Sequence, residues 1–168
     1  MRRTSAILGS AIFLVVAPVT VAGVAPWLIS HWGGEPSATG FLPLRAAGVL
    51  LVAAGALILL DSFARFALQG LGTPAPAFPT RHLIITGCYR YVRNPMYVAV
   101  VAIIAGQWLV FADVRVLGYG VLVWLGFHCF VVTYEEPTLR TAYGPEYELY
   151  SAGVRRWIPR LSPWQAPR

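Results

Sequence analysis

The 168-residue chain has room for one domain, and its composition indicates a membrane protein. Hydrophobic residues make up 57% of the chain and charged residues 12%, which is too apolar for an ordinary soluble domain. The net charge of +6 comes from arginines at the ends of apolar runs, a distribution typical of membrane topology rather than of nucleic-acid binding. Two cysteines and three scattered histidines make no metal-ligand pattern, so we expect neither a disulfide nor a metal site.

Four apolar runs predict an all-α integral membrane fold, a single membrane domain over residues 1–168. The predicted transmembrane helices cover residues 7–29, 44–63, 95–111 and 116–134. A proline-rich cytosolic loop would occupy residues 64–94, and a cytosolic tail with helical segments would occupy residues 135–168. A cleaved signal peptide is the alternative for the first run, but the run is long for one.

The arginines predict the orientation of these helices. Eleven lie on the side of the N-terminus, the 64–94 loop and the C-terminal tail, and two, Arg45 and Arg115, lie on the other side. This asymmetry predicts that both termini face the cytoplasm, in what we take to be a prokaryotic cytoplasmic membrane. The third and fourth helices then form an antiparallel hairpin, which brings Tyr97 and Glu135 to the same membrane face.

Polar residues in or near the predicted spans have two interpretations. Asp61 and Arg65 are four residues apart on one helical face, which predicts an ion pair at the membrane surface, with a functional Asp61 as the alternative. Gln107 and His128 lie inside spans, where polar groups usually face the bundle interior and form hydrogen bonds between helices.

The first junction that contains candidate functional residues is RYVRNPMY, residues 90–97, where the chain enters the third span. Arg90 and Arg93 can bind headgroup phosphates or hold a carboxylate in the guanidinium fork. Asn94 is expected to cap the helix with its side chain, and Pro95 suits the first helical turn, where no N–H is needed.

The second junction is Tyr134-Glu135-Glu136-Pro137, at the end of the fourth span. Neighbouring residues on a helix point about 100° apart, so we expect one glutamate to face a pocket and the other to face water or cap the chain. Because carboxylates at a helix C-terminus oppose the macrodipole, stability alone does not account for this pair.

The tail has its own pattern. Gly144-Pro145 is expected to end one short helix and to open another. Trp157 and Trp164 are interpreted as headgroup anchors, while Tyr143, Tyr147 and Tyr150 are candidates for covering the site from the water side.

Together these motifs resemble those of the membrane methyltransferases that include phosphatidylethanolamine N-methyltransferase and isoprenylcysteine carboxyl methyltransferase. The similarity lies in the order and spacing of the following segments: GCYRYVRNPMY at 87–97, YEEP at 134–137, and YGPEY at 143–147, followed by Tyr150, Val154, Arg155 and Pro159. It covers roughly residues 70–159, over half of the chain.

The resemblance implies a methyltransferase that uses S-adenosyl-L-methionine, bound at the cytosolic ends of the last two helices. It implies a cofactor site lined by Arg93, Asn94, Pro95, Tyr97, Glu135 and Glu136. Glu135 and Tyr97 are the candidate catalytic residues. The candidate substrate-binding residues are Arg90, Tyr91 and His128.

The acceptor is expected to be a lipid or small amphiphile that enters from the bilayer, and its amine, carboxylate or thiol nature stays open. The carboxyl methyltransferase branch usually has histidine where this chain has Asn94, so the amine-methylating branch resembles this chain more closely there. Two alternatives are a small four-helix transporter and a catalytically silent relative. The oligomeric state is not predicted.

Overall fold

The computed structural model describes residues 15–33, 42–65 and 83–166. The secondary structure in these ranges consists of helices joined by turns, with no β-strand. The all-α prediction is therefore confirmed for the described residues. The start of the first predicted span and most of the 64–94 loop lie outside them.

Four apolar helices form the bundle. Helix α1 is π-helical over Val15–Val24 and α-helical over Ala25–Ser30; α2 is Leu42–Arg65, α3 is Pro95–Phe111 and α4 is Val114–Phe130. A π-helical turn, Val131–Glu135, continues α4 into α5, Glu136–Tyr143. A 3-10 turn at Gly87–Arg90 precedes α3, and α6 is Pro145–Gly153.

Within the described ranges, two helical stretches are long and apolar enough to cross a membrane: Leu42–Arg65, with 24 residues, and the continuous run Val114–Tyr143, with 30. The other apolar helices, Val16–Ser30 and Pro95–Phe111, are shorter. Helix α3 begins and ends at the predicted residues 95 and 111.

Helices α2 and α3 pack backbone to backbone. A Cβ atom built on Gly106 would lie 2.7 Å from the Gly48 carbonyl oxygen, and one on Gly48 would lie 2.7 Å from the Gly106 carbonyl oxygen. Further along the contact, a Cβ on Gly55 would lie 2.8 Å from the Ala99 carbonyl oxygen. Small residues at such crossings let helix backbones approach closely in a lipid environment, where dispersion contacts rather than water exclusion hold helices together.

Hydrogen bonds from α3 and α4 satisfy carbonyl groups that α1 leaves open. Pro26 has no N–H. It therefore cannot donate the α-helical hydrogen bond to the Ala22 carbonyl or the π-helical hydrogen bond to the Val21 carbonyl. Gln107 Nε2 donates to Ala22 O at 2.6 Å, and Tyr119 Oη donates to Val21 O at 2.9 Å. The prediction that Gln107 makes a hydrogen bond between helices is confirmed.

A second, smaller core lies in the tail. Tyr147, Tyr150 and Val154 are buried against each other, and Trp164 packs on them. Tyr150 Oη donates to the Tyr89 carbonyl at 2.6 Å, which ties α6 to the 3-10 turn before α3. This contact brings the tail against the first junction.

The α2–α3 crossing gives a stability prediction. Gly106→Ala inserts a methyl group where the neighbouring backbone leaves no room, so we expect a destabilisation of about 1–3 kcal/mol and a lower Tm in detergent. Gly118→Ala is the matched control, since no atom lies within 4 Å of a Cβ at that position. Equal melting temperatures for Gly106→Ala and Gly118→Ala would contradict close packing of α2 against α3 at Gly106.

Candidate functional site

The tail lies along the segment that enters α3 and is bonded to it through the backbone. Arg93 N donates to Arg155 O at 3.0 Å, Arg160 N to Tyr91 O at 2.9 Å, and Trp164 N to Arg90 O at 2.8 Å. Three bonds in four residues hold the first junction against residues 155–164, so the site is assembled from three parts of the chain rather than two.

Glu136 is the centre of the site. Its side chain is 4% exposed, and Arg156 donates to both of its oxygens, from Nε at 2.6 Å and from Nη2 at 3.0 Å. Arg93 Nη1 lies 3.3 Å from Oε1, and Arg140 Nη2 lies 3.7 Å from Oε2. The carboxylate thus joins α5, the start of α3 and the tail.

The expectation that one of the two glutamates faces water is wrong. Glu136 is buried under the tail, and Glu135 accepts a hydrogen bond from Tyr97 Oη at 2.8 Å through Oε2. Glu135 is the last residue of the π-helical turn Val131–Glu135, and Glu136 begins α5. Pro137 favours this break in α-helical bonding, since it has no N–H to bond the Thr133 carbonyl.

The cluster carries more positive than negative charge. Three guanidinium groups, those of Arg93, Arg140 and Arg156, surround the Glu136 carboxylate, and the exposed Glu148 carboxylate pairs with Arg140. The three cations therefore outnumber the two paired carboxylates by one. Hydrogen bonding to Glu136 raises the pKa of Arg156, which stays protonated. Arg93 Nε is buried and has no hydrogen-bond partner within the described ranges. The cluster therefore has spare cationic donor capacity, which suits an anionic group.

Tyr147 adds a neutral polar group on the water side of this cluster. Its hydroxyl oxygen accepts a hydrogen bond from Arg93 Nη1 at 3.1 Å. Burial raises the pKa of Tyr147, so the phenol stays neutral at physiological pH. The Tyr147 hydroxyl group thus occupies one N–H donor of Arg93, and because the phenol is neutral, the net positive charge of the cluster is unchanged.

Tyr97 and Glu135 form the second polar pair of the site, next to aromatic rings. The Tyr97 ring lies 4.6 Å from Phe127 and 6.5 Å from Trp157, measured between centroids. The predicted proximity of Tyr97 and Glu135 is confirmed by their hydrogen bond. That bond uses Oε2 of the Glu135 carboxylate.

Trp157 was not among the candidate site residues. Its indole Nε1 donates to His128 Nδ1 at 3.1 Å, and its ring packs on Tyr97. The sequence placed this tryptophan and Trp164 at the headgroups, but both pack inward on the chain. The predicted hydrogen bond of His128 exists, although its partner is the tail rather than another spanning helix.

Three further candidates have structural partners. Asn94 does not cap α3 with its side chain; its Nδ2 donates instead to Arg156 O at 3.2 Å, because the tail occupies the space beside it. Arg90 Nε donates to Trp164 O at 2.8 Å, away from the Glu136 cluster. The Tyr91 side chain is exposed. The structure thus brings Arg93, Asn94, Tyr97 and both glutamates together, but it leaves Arg90 and Tyr91 at the edge.

An apolar cavity of about 220 Å³ opens beside Tyr97, between the four bundle helices. Its lining residues are Ala17, Pro18, Val21, Leu59, Phe63, Met96, Tyr97, Val100, Phe127 and Phe130. The Tyr97 hydroxyl group brings the polar pair of the site to the wall of a hydrocarbon-lined space.

A family model described as phospholipid methyltransferase matches residues 44–146, more than half of the chain. The chain belongs to this phospholipid methyltransferase family. No curated protein and no solved structure matches it. The matched range contains both junctions, but Arg156 and Trp157 lie beyond it.

The Glu136 cluster gives a prediction that separates buried from exposed ion pairs. Glu136→Gln leaves three guanidinium groups around a neutral amide, and we expect a loss of about 3 kcal/mol or more of stability. Glu148→Gln is the matched control, because Glu148 also pairs with Arg140 but is 59% exposed, and its loss should cost about 1 kcal/mol or less. Equal melting temperatures for the two variants in detergent would contradict the central place of Glu136.

Proposed function

We propose that this protein is an integral membrane methyltransferase that uses S-adenosyl-L-methionine and methylates a lipid or small amphiphile at the membrane surface. The observation that carries the proposal is the pairing of Tyr97 with Glu135 beside an arginine-rich cluster, within the range that the family model matches. Family membership implies methyl transfer; the cofactor and acceptor rest on the site.

The residues of the site fit two of the cofactor's three charged groups. The orphaned donor Arg93 Nε and the excess of guanidinium groups suit the cofactor carboxylate. The Glu135 carboxylate suits the ammonium group or a ribose hydroxyl. Glu136 is less available than the sequence suggested, because three arginines already surround it.

When bound, the cofactor supplies an electrophilic methyl group on a sulfonium, whose positive charge is lost on transfer. The chain's own contribution is alignment and exclusion of water. Glu135 holds the Tyr97 hydroxyl group in one orientation, and Phe127 and Trp157 pack on the ring. The tail closes the water side through Arg156 and its backbone bonds.

An amine acceptor must lose a proton before or during methylation. Glu135 is linked to the apolar cavity through its partner Tyr97, which lines that cavity. We assign Glu135 as the proton acceptor for an amine substrate. Tyr97 is a poor alternative base, because its hydroxyl group already donates to Glu135.

The apolar cavity supports a lipid or amphiphilic acceptor. At about 220 Å³ it exceeds the size of the roughly 150 Å³ apolar cavity that binds benzene, so it holds a section of a hydrocarbon chain rather than a whole lipid. Its position on the bilayer side of Tyr97 allows the reacting group to reach the polar pair while the chain stays in apolar surroundings.

We also propose that α1, α2, α3 and α4 all span the membrane with both termini in the cytoplasm. The 17 residues of α3 reach the lower end of the usual range for a spanning helix. The arginine asymmetry supports a site at the cytoplasmic face. The transporter alternative loses support, because Asp61 is paired with Arg65 rather than open to a pathway.

Glu135→Gln tests the cofactor assignment. The amide keeps the size of the side chain but cannot pair with an ammonium group, so we expect the Kd for S-adenosylmethionine to rise about tenfold or more. Isothermal titration of the protein in nanodiscs measures this, with Glu148→Gln as the exposed-carboxylate control. An unchanged Kd in Glu135→Gln would remove Glu135 from the cofactor site.

Val100→Phe tests the acceptor cavity. The larger side chain fills space beside Tyr97, so we expect transfer of labelled methyl groups to membrane lipid extract to fall about tenfold or more, with the cofactor Kd unchanged. Leu122→Phe on the outer face of α4 is the control, since Leu122 is exposed. Full transfer by Val100→Phe would show that the acceptor binds elsewhere.

A further inference from the structure

The ion pair at the end of α2 is built into a larger contact than its place in the sequence suggested. Arg65 Nε donates to Asp61 Oδ2 and Arg65 Nη2 to Asp61 Oδ1, both at 2.8 Å. This is the bidentate arrangement that gives a guanidinium–carboxylate pair a fixed geometry. The pair lies at the predicted membrane surface, but it does not simply face water.

The guanidinium group of Arg65 packs directly on Gly87. A Cβ atom at Gly87 would collide with Arg65 Nε, Cζ and Nη2. Gly87 also has a φ of +54°, a conformation that side-chain-bearing residues rarely adopt. The chain can therefore make this approach only with glycine at position 87.

The carboxylate of Asp61 contacts the next residue in the same turn. The Asp61 carboxylate lies close enough to Cys88 to act on its thiol electrostatically. Burial and the Asp61 carboxylate raise the pKa of the Cys88 thiol, which stays protonated and able to donate. Asp61 and Arg65 together contact the first two residues of the 3-10 turn Gly87–Arg90.

That turn leads directly into the cofactor-facing residues. Its last residue, Arg90, is three positions before Arg93, and Pro95 then begins α3. On its other side the same segment is held by the tail, through Tyr150 and through the backbone of residues 155–164. The segment 87–94 is thus fixed between α2 and the tail.

We propose that Asp61 and Arg65 are positioning residues for cofactor binding, which hold the turn Gly87–Arg90 so that Arg93 points into the Glu136 cluster. This role rests on the proposed function, because it assigns a ligand to that cluster. It differs from that of a surface ion pair, which would leave the turn and the cofactor affinity unaffected.

The first measurement needs no cofactor. In a Cys129→Ser background, Cys88 is the sole thiol of the chain, and its labelling by a small maleimide reports how firmly the turn is held. Arg65→Gln should raise the labelling rate about fivefold or more, since local opening exposes the thiol, whereas loss of the cation alone would slow labelling by raising the thiol pKa. Asp61→Asn should also speed labelling, but there the loss of the carboxylate lowers the thiol pKa as well, so Arg65→Gln is the deciding variant. Asp113→Asn is the matched control, because Asp113 pairs with Arg115 at the other end of the bundle.

The second measurement is the Kd for S-adenosylmethionine in the same proteins. Asp61→Asn and Arg65→Gln should raise this Kd about tenfold. Arg65→Lys keeps the positive charge but cannot form the bidentate pair with Asp61, so it should give an intermediate Kd. A Tm within a few degrees of that of Asp113→Asn shows that the variants are folded.

The outcomes separate the two claims. Unchanged Cys88 labelling, or faster labelling with an unchanged Kd, overturns the positioning role. Failure of the unaltered chain to bind the cofactor overturns the proposed function, while the labelling rates still decide whether Asp61 and Arg65 hold the turn.

Discussion

The buried carboxylate of Glu136 is the constraint on which the rest of the site depends. A charge removed from water needs partners, and Glu136 draws them from three separate parts of the chain: Arg93 before α3, Arg140 on α5 and Arg156 in the tail. The ion pair between Glu136 and Arg156 brings the tail over the first junction, residues 90–97. Because the three arginines face two carboxylates, those of Glu136 and the exposed Glu148, we propose that the cluster can hold a further anionic group.

The site joins an arginine-rich polar side to an apolar one within a short distance. Glu135 and Tyr97 lie between the arginine cluster and the hydrocarbon-lined cavity, so a charged cofactor and an apolar acceptor can approach the same pair from opposite directions. The tail covers the junction through Arg156 and its backbone bonds, and exclusion of water there strengthens the electrostatic interactions inside. Helices α2 and α3 supply the rigid frame through their glycine contacts.

Much of the fold followed from local signals. Pro95 marks the start of α3, and the short connection between α3 and α4 predicts the hairpin that pairs Tyr97 with Glu135. The sequence could not predict the path of the tail, which accepts a hydrogen bond from the Asn94 side chain, buries Glu136 and turns Trp157 toward His128. The π-helical turn Val131–Glu135 was also missed, because residue types alone do not specify its hydrogen-bond pattern.

The most direct test is ligand-induced stabilisation of the protein in nanodiscs by S-adenosylmethionine and by its demethylated product. With either ligand at about a hundred times its Kd, linkage predicts a stabilisation of about 2.7 kcal/mol and a saturable rise in Tm. Adenosine, which lacks the amino-acid carboxylate that the arginine cluster is proposed to hold, should stabilise much less. No shift with either ligand at millimolar concentration, or an equal shift with adenosine, would contradict the account.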